Sequence, residues 1–142
     1  MFDRWKADQG LNKTLEERAK IEEKNKKFIE AQGAAMKVNA EVAKAAAKYN
    51  FASIEAKNNL PKGLISATIM QESKGSIYNS KGGVLTSPSG AQGPAQFMPN
   101  TAKRFNVDVT SMKSSAEGVA KYYVRLLDLF DGDLNKAISA YH

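Results

Sequence analysis

The chain has 142 residues, 42% hydrophobic and 25% charged, which fits about one globular domain with a modest core and excludes a disordered or fibrous chain. It has no Cys and a single His, His142, so disulfide scaffolds, zinc ribbons, thiol nucleophiles, His-based triads and multi-His metal sites are set aside. The net charge of +6 is shared evenly, with 11 basic and 8 acidic residues in 1–50 and 10 and 7 in 51–142; the surface suits any polyanion and has no basic arm for nucleic acid.

Met1-Phe2-Asp3-Arg4-Trp5-Lys6 has no apolar run of signal-peptide length behind its charges. No stretch approaches the roughly 18 apolar residues that cross a bilayer. Residues 1–13 are polar and irregular. Thr14-Leu15-Glu16-Glu17 then fits a capping box, and an Ala-, Lys- and Glu-rich stretch without proline predicts one long helix to about Asn50. Phe28, Ala31, Ala35, Val38, Val42 and Ala45 form a thin apolar seam along it, weakened by Gly33. Such a seam packs on a partner helix or on the protein's own domain.

Pro61 in a first turn opens a predicted helix over 62–73, with Leu64, Ile65, Thr68, Ile69 and Glu72 on one face. A loop follows in which Gly75, Gly82, Gly83, Gly90 and Gly93 cluster with Pro88 and Pro94. A short helix is predicted after Pro99. Ser114-Ser115-Ala116-Glu117 is a second capping box, opening a helix with the stripe Val119, Tyr122, Tyr123, Leu126, Leu127 and Phe130. Asp131-Gly132-Asp133 breaks and recaps, and Leu134, Ala137, Ile138 and Tyr141 start the last helix, which has no stop signal and is expected to fray. Few segments alternate with period two, so the fold class is all-α.

Glu72 stands out among the residues that can carry chemistry. It shares the apolar face of its helix and lies near the C-terminal end, where burial and the helix dipole both favour the proton-bearing carboxyl that a general acid needs. The plain alternative is a partly exposed Glu at the edge of an apolar stripe.

Glu72-Ser73, the Gly-rich loop and Gly90-Ala91-Gln92-Gly93-Pro94-Ala95-Gln96-Phe97-Met98-Pro99-Asn100-Thr101 together resemble the lytic transglycosylases of the lysozyme-like superfamily. In that family a Glu-Ser pair closes the catalytic helix and a Gly-Ala-x-Gly-x-x-Gln-x-x-Pro-x-Thr segment floors the sugar cleft. Gly118 to Tyr141 resembles the family's helix pair leading into an Ala-Tyr-Asn-x-Gly motif. The resemblance covers about 37–142, which divides the chain into a polar segment and long helix (1–36), for assembly or packing, and a catalytic domain (37–142). The loop from Ser76 to Ser89 is longer than the family's usual spacing, the connection before Pro61 is lengthened, and His142 stands where the family has Asn. The domain is therefore expected to be C-terminally incomplete.

The resemblance implies a lysozyme-like helical fold and cleavage of the β-1,4 bond between N-acetylmuramic acid and N-acetylglucosamine in peptidoglycan, with a 1,6-anhydro product and no cofactor or metal. It gives Glu72 the acid–base role. Ser73, Gly90, Gln92, Gln96, Phe97, Met98 and Tyr141 are the implied substrate-binding set, Phe97 and Met98 as an apolar wall against a sugar ring or as core. Hydrolysis would need a second carboxylate across the cleft. Asp108, Glu117, Asp128, Asp131 and Asp133 sit in turn, cap or solvent-facing contexts, so transglycosylation is favoured and hydrolysis stays open. The expected setting is a phage virion, whose enzyme acts in the host periplasm and cell wall, with delivery to the periplasm by a secretion machine as the alternative. Partners are peptidoglycan glycan strands and, through the N-terminal helix, other subunits of such an assembly. A rival reading is a structural or ejection subunit whose transglycosylase-like domain is weak or inactive; a nucleic-acid-binding module is weaker still, for want of a recognition helix.

Overall fold

The computed structural model describes residues 38–141, together with 16, 17, 19–21, 23 and 24. Those early residues are helical, as the capping box predicts. Six further helices follow among the described residues: α1 (Ala40–Lys48), α2 (Phe51–Lys57), α3 (Leu64–Ser73), α4 (Pro99–Arg104), α5 (Met112–Leu129) and α6 (Leu134–Tyr141). The only β pairing among them is a set of isolated bridges between α3 and α4, so the all-α expectation holds.

The single long helix over 14–50 does not hold. Asn39 has an extended backbone (ψ 175), and its Oδ1 accepts from the Val42 amide at 2.9 Å, so α1 starts afresh at Ala40. Asparagine is among the strongest N-caps, and here its side chain outcompetes helical continuation. Of the apolar seam, Phe28, Ala31 and Ala35 lie outside the described residues, Val38 is exposed, and Val42 and Ala45 are buried in the core. Hence 38–50 belongs to the packed domain.

Two other helix starts shift. Pro61 lies outside α3, which begins at Leu64 behind a left-handed Gly63. The helix α5 begins at Met112 because Ser111, and not Ser114, is its cap: the Ser111 Oγ accepts from the Ser114 amide. The Ser114 hydroxyl instead accepts from the Asp108 amide at 2.8 Å, bracing the α4–α5 connection.

The core forms where α3 and α5 cross, with Ile65, Ile69, Val119 and Tyr123 fully buried. Phe51 from α2, Val42 from α1, and Leu134 and Ala137 from α6 close around it. The Asp133 Oδ1 caps α6 through the Lys136 amide, which is the recapping expected of Asp131-Gly132-Asp133. Among the described residues no helix is long and apolar enough to cross a membrane.

Candidate active site

The helix that carries Glu72 is clamped at both ends. Its N-cap is Gly63 (φ 92), which has no side chain to offer, and the cap comes from α2. The Glu55 Oε1 accepts from the Gly63 amide at 3.0 Å and its Oε2 from the Ile65 amide at 2.8 Å. Glu55 is 2% exposed, and burial pushes its carboxyl above the ordinary range against the lowering pull of those amides and of Lys62. The sequence reading missed this residue. A signal was present: Glu55 stands four residues after Phe51, on the inward face of α2, and the Gly63 start leaves α3 without a local cap.

At the other end Ser73 turns its hydroxyl to the backbone, donating to the Ile69 carbonyl and accepting from the Gly75 amide. Lys74 closes the helix in a left-handed conformation (φ 56), and its carbonyl accepts from the Asn39 Nδ2 at 2.8 Å. The cap of α1 thus also ties down the end of α3. Glu72 is half-buried, two residues before that tie.

Two phenols lie within electrostatic reach of Glu72. Tyr123 on α5 is fully buried, with its hydroxyl 3.3 Å from the Thr68 Oγ1 one turn before Glu72. Burial pushes it up to about 12, and the Glu72 charge adds to the rise. Tyr141, near the end of α6, is raised well above 10 by burial first, then by Tyr123, Glu72 and Tyr122. Both therefore keep their protons through the neutral and mildly alkaline range. The Tyr141 hydroxyl donates to the Ala95 carbonyl at 3.0 Å, and its ring stacks on Tyr123 at 5.0 Å and 16°. Tyr122 and Phe97 flank it at 5.1 and 6.1 Å. These contacts tie the last turn of α6 to α5 and to the Gly90–Gln96 loop.

The loop itself is a hydrogen-bonded ribbon. Gln92 and Phe97 exchange both backbone bonds, and the Gly93 amide donates to the Leu85 carbonyl. Gln96 adopts φ 54 and uses its Nε2 on the Gly93 and Leu85 carbonyls at 2.8 and 3.3 Å, bracing the loop. Gly93 (φ 76) is needed for close approach, but to the neighbouring backbone: a Cβ there would lie 2.5 Å from the Val109 carbonyl oxygen. At Gly90 (φ 99) a Cβ would meet only the Met98 methyl, at 3.8 Å. Phe97 is 2% exposed and belongs to the core, so the expected apolar wall reduces to Met98, which is 44% exposed.

The structure therefore brings Glu72 together with Tyr141, and Tyr141 with the loop at Ala95, while Ser73 and Phe97 serve the scaffold. A groove of about 360 Å³ between α2 and α5, lined by Tyr49, Lys57, Lys113, Glu117 and Lys121 among others, contains none of the candidate residues. Chemically, the cluster offers one half-buried carboxyl near two protonated phenols that are bonded to the scaffold, so the carboxyl is the group suited to moving a proton to and from a substrate oxygen.

No solved structure matches the chain. Residues 49–142 match the transglycosylase SLT domain, a span that opens at the end of α1 and contains Glu72, the whole ribbon and Tyr141. Peptidoglycan, the substrate of lytic transglycosylases, fits that match. With two thirds of its length matched, the chain belongs to the SLT transglycosylase family.

Proposed function

We propose that this protein is a peptidoglycan lytic transglycosylase in which Glu72 is the acid and then the base. The Glu72 carboxyl gives its proton to the glycosidic oxygen as the bond from muramic C1 breaks. The resulting carboxylate takes the proton of the muramic C6 hydroxyl as that oxygen bonds to C1, closing a 1,6-anhydro ring. Water is not consumed, and the nucleophile belongs to the substrate.

The observation that carries this reading is that Tyr141, bonded through its hydroxyl to the loop that resembles the family's cleft floor, stacks on the buried Tyr123, with both phenols within electrostatic reach of Glu72. A glycosidase that hydrolyses needs a partner carboxylate. The contacts of several other acids lie elsewhere: Asp108 holds Thr110, Asp133 caps α6, and Glu55 caps the far end of α3. Gln96 through Oε1, Gln92, Gly90 and Met98 would meet the sugars. Ser73 would act by holding the end of the helix.

Glu72→Gln keeps the shape and removes the acidic proton. Cleavage of purified peptidoglycan should fall by roughly 100- to 10,000-fold or more, with an unchanged circular dichroism spectrum. Normal cleavage by this variant would end the assignment.

We further propose that the enzyme opens the cell wall locally for a phage particle or a secretion machine. The support is the charged, helix-forming segment ahead of the SLT domain, which suits an element that packs or assembles. Its presence in purified particles or in the secretion apparatus tests this setting.

A further inference from the structure

We propose that Tyr78, on the hairpin between Glu72 and the cleft floor, is a stacking platform for a sugar ring of the glycan strand, an inference that rests on the reading of Glu72 above.

The hairpin lies in the long loop between α3 and α4, and it is built rather than slack. The Leu85 amide donates to the Ile77 carbonyl and the Asn79 amide to the Gly83 carbonyl, both at 2.8 Å, around a Tyr78–Val84 bridge. Asn79 closes the tip by accepting at Oδ1 from the Lys81 and Gly83 amides, at 2.9 and 3.1 Å. Successive residues of an extended chain face opposite sides. Ile77 packs against the core, and Tyr78 is 52% exposed. A large aromatic ring held out to solvent on a fixed backbone loses little freedom when a ligand covers it.

Position supplies the ligand. Tyr78 lies six positions after Glu72, a reach of at most about 22 Å between their α-carbons, shortened by the turn in which the Ser76 amide donates to the Ser73 carbonyl. The other end of the hairpin is continuous with the cleft floor, because the Leu85 carbonyl accepts from the Gly93 amide and from Gln96 Nε2. The ring thus stands within a few sugar units of the proposed acid. Pyranose rings in a β-1,4 strand carry their hydroxyl and N-acetyl groups around the rim and present C–H bonds on their faces. Those faces suit the electron-rich face of a phenol ring.

The test uses the full chain carrying Glu72→Gln, so that binding is read without turnover, with purified peptidoglycan sacculi and a soluble β-1,4-linked N-acetylglucosamine oligosaccharide as probes. Adding Tyr78→Ala should weaken binding roughly 3- to 10-fold, and Tyr78→Phe should bind like the parent, since the ring is kept. Asn79→Ala, which frees the tip and keeps the ring, should weaken binding as well. In the protein with Glu72 intact, Tyr78→Ala should raise KM and leave kcat unchanged. Parental binding by Tyr78→Ala, or a Tyr78→Phe protein as weak as Tyr78→Ala, overturns the platform while cleavage by the unmodified protein leaves the enzyme reading standing. Failure of the parent to bind or cleave peptidoglycan overturns both.

Discussion

Tyr141 and Glu55 work on Glu72 from opposite ends of its helix, and each gives a measurable consequence. Tyr141→Phe keeps the stacked ring and removes the hydrogen bond to Ala95. That loss should cost about 1 kcal/mol, or a melting temperature lower by ~4 °C. Activity assayed well below the transition should still fall several-fold, because the tie between α6 and the cleft floor is gone; unchanged activity would show that the hydroxyl has no part in the site. Glu55 binds its proton more tightly in the folded protein than its ordinary value of 4.5 implies. Its contribution to stability is therefore complete below that value and is lost as pH rises through the raised one. The stability advantage of the wild type over Glu55→Gln should shrink as pH rises above about 4.5. An advantage that grows with pH would mean that the Gly63 and Ile65 amides outweigh burial. Glu72 was legible in the sequence because a carboxylate on an apolar stripe is conspicuous and a motif follows it. Glu55 lies on an equally apolar face, but its partners are backbone amides that become free only once α3 has its glycine start. Phe97 and Ser73 were legible as motif members and not by direction: both can face the cleft or the scaffold, and packing decides.

Among the elements, the ribbon between α3 and α4 was the least readable. Its glycines announce turns, yet which of them are indispensable depends on contacts far along the chain. Gly93 and Gly90 both have positive φ, but only at Gly93 would a Cβ strike backbone, at 2.5 Å from Val109. Gly93→Ala should therefore destabilise by more than about 2 kcal/mol, and Gly90→Ala by distinctly less, as read from chemical denaturation. Equal effects would mean that the strained backbone alone, and not the close approach, sets the cost. The helices were easier: periodicity located α3, α5 and α6, Pro99 marked α4, and the starts that moved were those of α1, α3 and α5. Each shift has a local cause, namely Asn39, Gly63 or Ser111 taking the capping role from the residue that pattern favoured.

At the scale of the molecule, α1 starts afresh behind Asn39 and packs into the core through Val42 and Ala45. Among the described residues, the early helical ones touch the domain where the Ile21 side chain approaches Gly132 and where Lys24 faces the half-buried Asp133 at 3.9 Å. Such a pair contributes about 0–1 kcal/mol. A protein lacking residues 1–37 should fold, cleave peptidoglycan and melt only slightly lower than the full chain. Removing 1–50 should abolish folding, since Val42, Ala45 and the Asn39 tie to Lys74 go with it. An unfolded product from the shorter deletion would make the N-terminal helix part of the catalytic core. Neither the break at Asn39 nor the docking of Ile21 was visible in composition, because a seam of spaced apolar residues reads the same whether the helix is continuous or interrupted.

The proposed reaction uses a single carboxyl and no partner acid, because the substrate's own C6 hydroxyl would close the ring. Mass spectrometry of the muropeptides released from purified peptidoglycan tests this most directly. The prediction is 1,6-anhydro ends, lighter by one water than hydrolysed ends, with no gain in reducing ends and with release dependent on Glu72. Products that are mainly hydrolysed, carrying new reducing ends, would contradict it and require a second carboxylate or a positioned water.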